Sequence, residues 1–135
     1  MALIDSSAWI EYLRGTASAV HRRLVELITV GAPIAFTQPV VMELLIGARG
    51  VAEEIRLRRL VGAYDLIAFD ADVDFEKAAS ISRRCRARGI TVPALDCMIA
   101  SVALRHDAVV LASDLDFARI ASVFPLRLDP ATPRS

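Results

Sequence analysis

Short, continuously apolar runs alternating with helical stretches constrain this chain more than any other feature. Ala2-Leu3-Ile4, Pro33 to Phe36, Leu66 to Phe69 and Ala108 to Ala112 read as strands. The last is the strongest, being unbroken and β-branched. Phe124 to Leu128 is a further candidate. Helical stretches lie between them. Ala8 to Arg14 follows the capping run Asp5-Ser6-Ser7 and stops at Gly15. Ala19 to Val30 carries Val20, Leu24, Leu27 and Ile28 at helical spacing. Thr37-Gln38-Pro39 starts a helix that runs through Val40 to about Ala48. Glu53 to Val61, Asp72 to Ala87, Pro93 to His106 and Leu115 to Ser122 complete the set. Strands without a polar face need helices on both sides. The expected fold is therefore α/β, a single three-layer α/β/α domain around a mainly parallel sheet. Residues 1–128 form that domain, and the proline-containing tail, 129–135, is expected to be disordered.

Apolar residues make up 55% of 135, a large share for a domain of this size, which points to a covered face or a second copy. Sixteen basic and sixteen acidic residues cancel, so no global basic field advertises nucleic acid. If a nucleic acid is bound, the positive charge must come from local arginines or from metal ions. Lys77 is the sole lysine. Cys85 and Cys97 sit in apolar helical surroundings and read as buried thiols; they show no metal-ligand spacing. His21 and His106 are isolated among polar neighbours and read as surface residues. The first residues lack the basic start and long apolar stretch of a signal peptide, and no run is long enough to cross a bilayer. A cytoplasmic protein is expected.

Four carboxylates fall where acids are costly. Asp5 follows the first strand and Asp114 follows the strongest one, so both emerge at the carboxyl edge of a parallel sheet, where such folds build sites. Glu43 lies in Val40-Val41-Met42-Glu43-Leu44-Leu45-Ile46 and Asp96 in Ala94-Leu95-Asp96-Cys97-Met98-Ile99, helices apolar enough to be buried. Asp5 and Asp114 alone would pass as helix caps, and Asp96 as a first-turn acid favoured by the dipole. Glu43, beyond its first turn, would need a buried arginine. One role covers all four: an all-oxygen site for Mg²⁺ or Mn²⁺. Such a site suits phosphodiester hydrolysis, and its ions would neutralise a polyanionic substrate.

The motifs around these acids resemble those of PIN domains, and in particular the VapC toxins of toxin–antitoxin pairs. Leu3-Ile4-Asp5-Ser6-Ser7-Ala8-Trp9 resembles the opening motif and Val41-Met42-Glu43-Leu44-Leu45-Ile46-Gly47 the second. Asp96-Cys97-Met98-Ile99-Ala100 and Ala112-Ser113-Asp114-Leu115-Asp116-Phe117 resemble the third and fourth. They occur in the family's order and span nearly the whole chain. The resemblance implies that Asp5, Glu43, Asp96 and Asp114 are catalytic and bind the metal, with Asp116 and Ser6 accessory. It implies a PIN-like fold and an endoribonuclease that cleaves structured RNA, tRNA or rRNA, and so inhibits translation. It further implies a VapB-like antitoxin partner and a homodimer. One departure is visible, Ala112, where the family usually carries Thr or Ser.

Features consistent with those partners are present. Arg83, Arg84, Arg86 and Arg88 form a basic run, with Arg22-Arg23 and Arg56, Arg58 and Arg59 beside it in number. Trp9, Leu13, Leu44, Leu45, Leu57 and Leu60 are candidates to line a groove for an antitoxin helix. Among rivals, a phosphoaspartyl enzyme of the haloacid-dehalogenase type needs an Asp at position 7 and a nearby lysine; Ser7 stands there, and Lys77 lies in the wrong segment. A response-regulator receiver has the same lysine requirement and fails in the same way. A non-catalytic PIN-like RNA- or protein-binding module would keep the fold and lose acids. DNA as substrate remains open, because phosphate chemistry does not itself read the sugar.

Overall fold

The computed structural model describes residues 1–135. Five strands alternate with seven helices. The strands are β1 (Ala2–Ile4), β2 (Ile34–Phe36), β3 (Asp65–Leu66), β4 (Val109–Leu111) and β5 (Arg127–Leu128). They form one sheet in the order β3-β2-β1-β4-β5, and every ladder is parallel. The helices are α1 (Ser6–Arg14), α2 (Ala19–Thr29), α3 (Gln38–Ile46), α4 (Val51–Gly62), α5 (Ala71–Arg86), α6 (Ala94–His106) and α7 (Asp116–Ala121).

Strand order runs outward from β1 in both directions, so the crossovers cover opposite faces. Right-handed connections put α1 to α4 on one face and α5 to α7 on the other. The packing agrees: α1 meets α2 and α3, while α5 meets α6 and α7. The direction reverses between β1 and β4, and this opens a crevice at their carboxyl ends. β1, fully buried, is the axis of the sheet, with Leu3 and Ile4 wholly enclosed.

Several expectations are corrected. The tail is not loose. Asp129 and Thr132 are both buried. Asp129 pairs with Arg23 at 3.0 Å, and the Thr132 hydroxyl donates to Val110 O at 3.0 Å while accepting from Ala112 N at 3.2 Å. These long-range partners hold a segment whose composition alone suggests disorder. β3 sits earlier than expected, because the chain leaves the ladder after Ile67 N donates to Phe36 O. Helix α3 is only partly covered, with Met42 and Ile46 exposed. His21 is half-buried: its Nδ1 accepts from Ala17 N, and its ring stands 6.1 Å from Tyr12. Cys85 and Cys97 are buried free thiols. No helix is long and apolar enough to cross a membrane.

Candidate active site

The site is assembled from chain ends that the sheet places together. Asp5 is the first residue after β1 and is 2% exposed. Its Oδ2 caps α1, accepting from Ser7 N at 3.1 Å and from the Ser7 hydroxyl at 2.6 Å. So the capping role is real, but it occupies one oxygen only. Oδ1 is buried without a hydrogen-bond partner. A buried carboxylate oxygen left bare costs free energy that nothing in the protein offsets.

Asp114 follows β4, and its Oδ1 accepts from Asp116 N at 3.1 Å. Asp96 enters from the first turn of α6, on the opposite face, and is buried. Carboxylate oxygens of Asp96, Asp114 and Asp116 lie within 4.8 Å of one another. Glu43 stands at the half-buried rim, where its Oε1 accepts from the Ser6 hydroxyl at 3.0 Å. The structure thus gathers Asp96, Asp114 and Asp116 most tightly, with Asp5 beside them and Glu43 held through Ser6. Arg119 donates to Asp116 Oδ1 at 2.9 Å and offsets part of that charge.

Burial and mutual repulsion govern how these acids ionise. Burial pushes the Asp96 carboxyl up to about 9, helped by the charges of Asp5 and Asp114 and by the hydrogen bond and charge of Asp116. Asp114 is pushed up to about 6, by burial first and then by Asp5. Burial also raises Asp5 and Glu43, with Glu43 adding to the former and Asp114 to the latter. No Lys or Arg pairs with Asp5, Glu43, Asp96 or Asp114. Carboxyls held this close, with Arg119 reaching only Asp116, ionise at a cost in free energy that a divalent cation would offset. The donor set is all oxygen, which suits a hard divalent ion and not zinc. The bare Asp5 Oδ1 is the atom that most plainly fits one.

Ser7 joins the site although the sequence marks it only as part of the first motif. Its hydroxyl donates to Asp5 and accepts from Ser113 N at 3.0 Å, tying the start of α1 to the exit of β4. The spacing in Asp5-Ser6-Ser7 is the only sequence signal for it. Trp9 does not line a groove. It is wholly buried, stacked on Phe36 at 5.0 Å and 6°. A groove does exist beside Glu43. Its volume is about 410 Å³, and Ile10, Leu13, Leu44, Leu57 and Leu60 line it, with Arg14 and Arg56 at its side. Leu45 is not part of it.

α5 and α6 form an antiparallel hairpin. Asp74 bonds Ser101 and Arg105 at one end, and the turn after α5 leads directly into Asp96 at the other. Arg83, Arg86 and Arg88 are exposed on that end. Arg84 is turned onto the Phe124 ring at 4.4 Å, and Arg23 is committed to Asp129 and Glu26.

Comparison with known proteins adds to this geometry. Residues 2–123 match the family model described as PIN domain. The chain is 40% identical over 129 residues to "Ribonuclease VapC11" of Mycobacterium tuberculosis, covering 94% of this chain and 96% of that one. It superposes on the VapBC-1 structure from nontypeable Haemophilus influenzae with a TM-score of 0.74 at 17% identity, covering 98% of each chain. It superposes on Mycobacterium tuberculosis VapC20, described as a sarcin-ricin loop cleaving toxin, with a TM-score of 0.66 at 21% identity, covering 94% of this chain and 99% of that one.

Proposed function

The chain belongs to the PIN-domain family, alongside the VapC ribonucleases, and from that premise we propose that it is a divalent-metal-dependent endoribonuclease, the toxin of a toxin–antitoxin pair. The observation that carries this reading is the cluster of Asp96, Asp114 and Asp116 carboxylates at the carboxyl edge of the sheet, together with the bare, buried Asp5 Oδ1. Asp5, Asp96, Asp114 and Glu43 would hold Mg²⁺, with Mn²⁺ a substitute, and Asp116 would stand beside them. When bound, such an ion supplies charge neutralisation at the phosphate and a water of lowered pKa.

The chain's own residues do the rest. Ser7 fixes the rotamer of Asp5 and holds it against the β4 exit. Ser6 holds Glu43 at the rim. Arg119 restrains Asp116. Arg83, Arg86 and Arg88, without acidic partners at the Asp96 end of the hairpin, are the cations that RNA phosphates would meet. The substrate class, a structured tRNA or rRNA, is the one the motif resemblance implies, and the description of VapC20 as a sarcin-ricin loop cleaving toxin is consistent with it. A protein with this activity would work in the cytoplasm, where its RNA is.

The apolar groove between α1, α3 and α4 is where a VapB-like antitoxin helix would lie. Since the groove begins at Glu43, an occupant would cover the site as well. Met42, Ile46, Val51 and Ile55 are exposed and offer the apolar surface a second copy would bury in a homodimer. The non-catalytic binding module is disfavoured because all four acids are present and none is ion-paired to a basic residue.

The test is incubation of antitoxin-free protein with total cellular RNA, with and without Mg²⁺ or Mn²⁺, beside Asp5→Asn. Discrete fragments that require the metal and vanish in Asp5→Asn support the reading. Intact RNA under every metal, from folded protein, favours the binding module.

A further inference from the structure

Thr37 follows β2 and occupies the N-cap position of α3, where a threonine ordinarily turns its hydroxyl onto the helix N–H groups. Here it does not: α3 has no side-chain cap bond. The residue is wholly buried, and its Oγ1 has no hydrogen-bond partner in the protein. A buried threonine hydroxyl that bonds nothing weakens the fold relative to a methyl group of the same shape.

The backbone shows where that hydroxyl points. Leu3 of β1 is opposite Ala35 of β2, so continuing the parallel register sets Asp5 level with Thr37. Both residues are extended, Asp5 at φ −70 and ψ 156, Thr37 at φ −133 and ψ 157, so the strand alternation carries through them. Phe36 turns toward Trp9 on the α1 face. Thr37 therefore turns to the other face, as Asp5 does, and that is the face from which α6 brings in Asp96. Two buried polar atoms without partners, Asp5 Oδ1 and Thr37 Oγ1, thus stand on neighbouring strands and the same side of the sheet. On the opposite flank of Asp5 the register places Ala112, which has no hydroxyl to offer.

We propose that Thr37 supplies a further, neutral oxygen to the divalent-cation site, reaching the ion directly or through one water of its hydration shell. The inference rests on the cation reading above. It gives the orphaned Asp5 Oδ1 and Thr37 Oγ1 one occupant, leaving Trp9 Nε1, among the rings on the α1 face, outside it, and it explains why the threonine forgoes its cap.

The test is Mn²⁺ titration followed by electron paramagnetic resonance, with thermal melts of the ion-free protein, on the parent, Thr37→Val and Thr37→Ser. Thr37→Val keeps the volume and removes the hydroxyl. Its Mn²⁺ dissociation constant is expected to rise about three- to tenfold, the worth of one hydrogen bond or weak ligand. Its ion-free melting temperature is expected to stay level or rise, and Thr37→Ser to bind within about twofold of the parent. Thr37→Val that binds Mn²⁺ as the parent does overturns the assignment, as does Thr37→Val that melts lower because the hydroxyl was structural. A parent that binds no Mn²⁺ overturns the cation reading, and this assignment with it.

Discussion

Replacing Asp96 with Asn will stabilise the ion-free protein, and the gain will depend on pH. Asp96 is buried against Asp5, Asp114 and Asp116, and its pKa is pushed up to about 9 from an ordinary 3.8. Between those values the folded chain holds a proton that the unfolded chain has released. A raised carboxyl pKa therefore means stability that falls as pH rises through that window, flattening above about 9. At pH 7 the solution lies a little over three pH units above 3.8, and each is worth about 1.36 kcal/mol, so the ceiling is about 4 kcal/mol. Asn carries no proton to gain or lose and keeps nearly the same shape. Even a third of that ceiling exceeds 1 kcal/mol and raises the melting temperature by about 3 °C in a domain of this size. The assay is a series of thermal melts with chelator present, from pH 4 to pH 8.5, on parent and Asp96→Asn. The gap should be near zero at pH 4 and widen toward pH 8.5. A gap that is constant with pH, or an Asn protein that melts lower at pH 8, would refute the electrostatic account of the cluster.

Other outcomes follow from single contacts. Ser7→Ala removes the hydroxyl that bridges Asp5 and Ser113 N; it should lower stability by about 1–2 kcal/mol by denaturant titration and slow RNA cleavage by about tenfold or more. Thr132→Val leaves the Ala112 N–H and loses the bond to Val110 O, so urea unfolding should show a loss of about 1–2 kcal/mol, where a disordered tail would show none. Arg105→Ala strips the buried Asp74 of its pair, held at 2.6 Å, and should cost about 3–5 kcal/mol at neutral pH. Burial raises the Asp74 pKa, but Arg105, the Asp70 N–H and Ser101 together hold it below the usual carboxylate range. Its stabilising contribution is therefore present above that range and lost as pH falls through the folded value; acid titration of Arg105→Ala should lack this limb.

The sheet was legible because its central strands are apolar on both faces. β1 and β4 could be nothing else, and the helices between them force parallel ladders. β3 was misplaced because pairing, not composition, ended it. Leu66 to Phe69 is apolar throughout, yet Phe69 N leaves the ladder to meet Gln38 Oε1. The tail was misread for a similar reason. Its prolines signal irregular backbone, but whether that backbone is loose depends on Arg23 and on strand β4, both far away in sequence. Trp9 sits on a helix that could have faced either way, and only its stack on Phe36 settles the side. The acids were legible because carboxylates at strand ends and in apolar helices need a reason. Thr37 was not, since a Thr before Gln-Pro reads as a cap, and only the structure shows the cap unmade.

If the carboxylates of Asp5, Asp96 and Asp114, with Glu43 at the rim, hold a divalent ion, that ion can be seen directly. The most direct measurement is an anomalous difference map from crystals of the antitoxin-free protein soaked in Mn²⁺. A peak is expected in the crevice between the ends of β1 and β4, about 2–2.5 Å from oxygens of Asp5 and its neighbours and absent in Asp5→Asn. A featureless crevice in crystals whose protein cleaves RNA in the same Mn²⁺ buffer would contradict it.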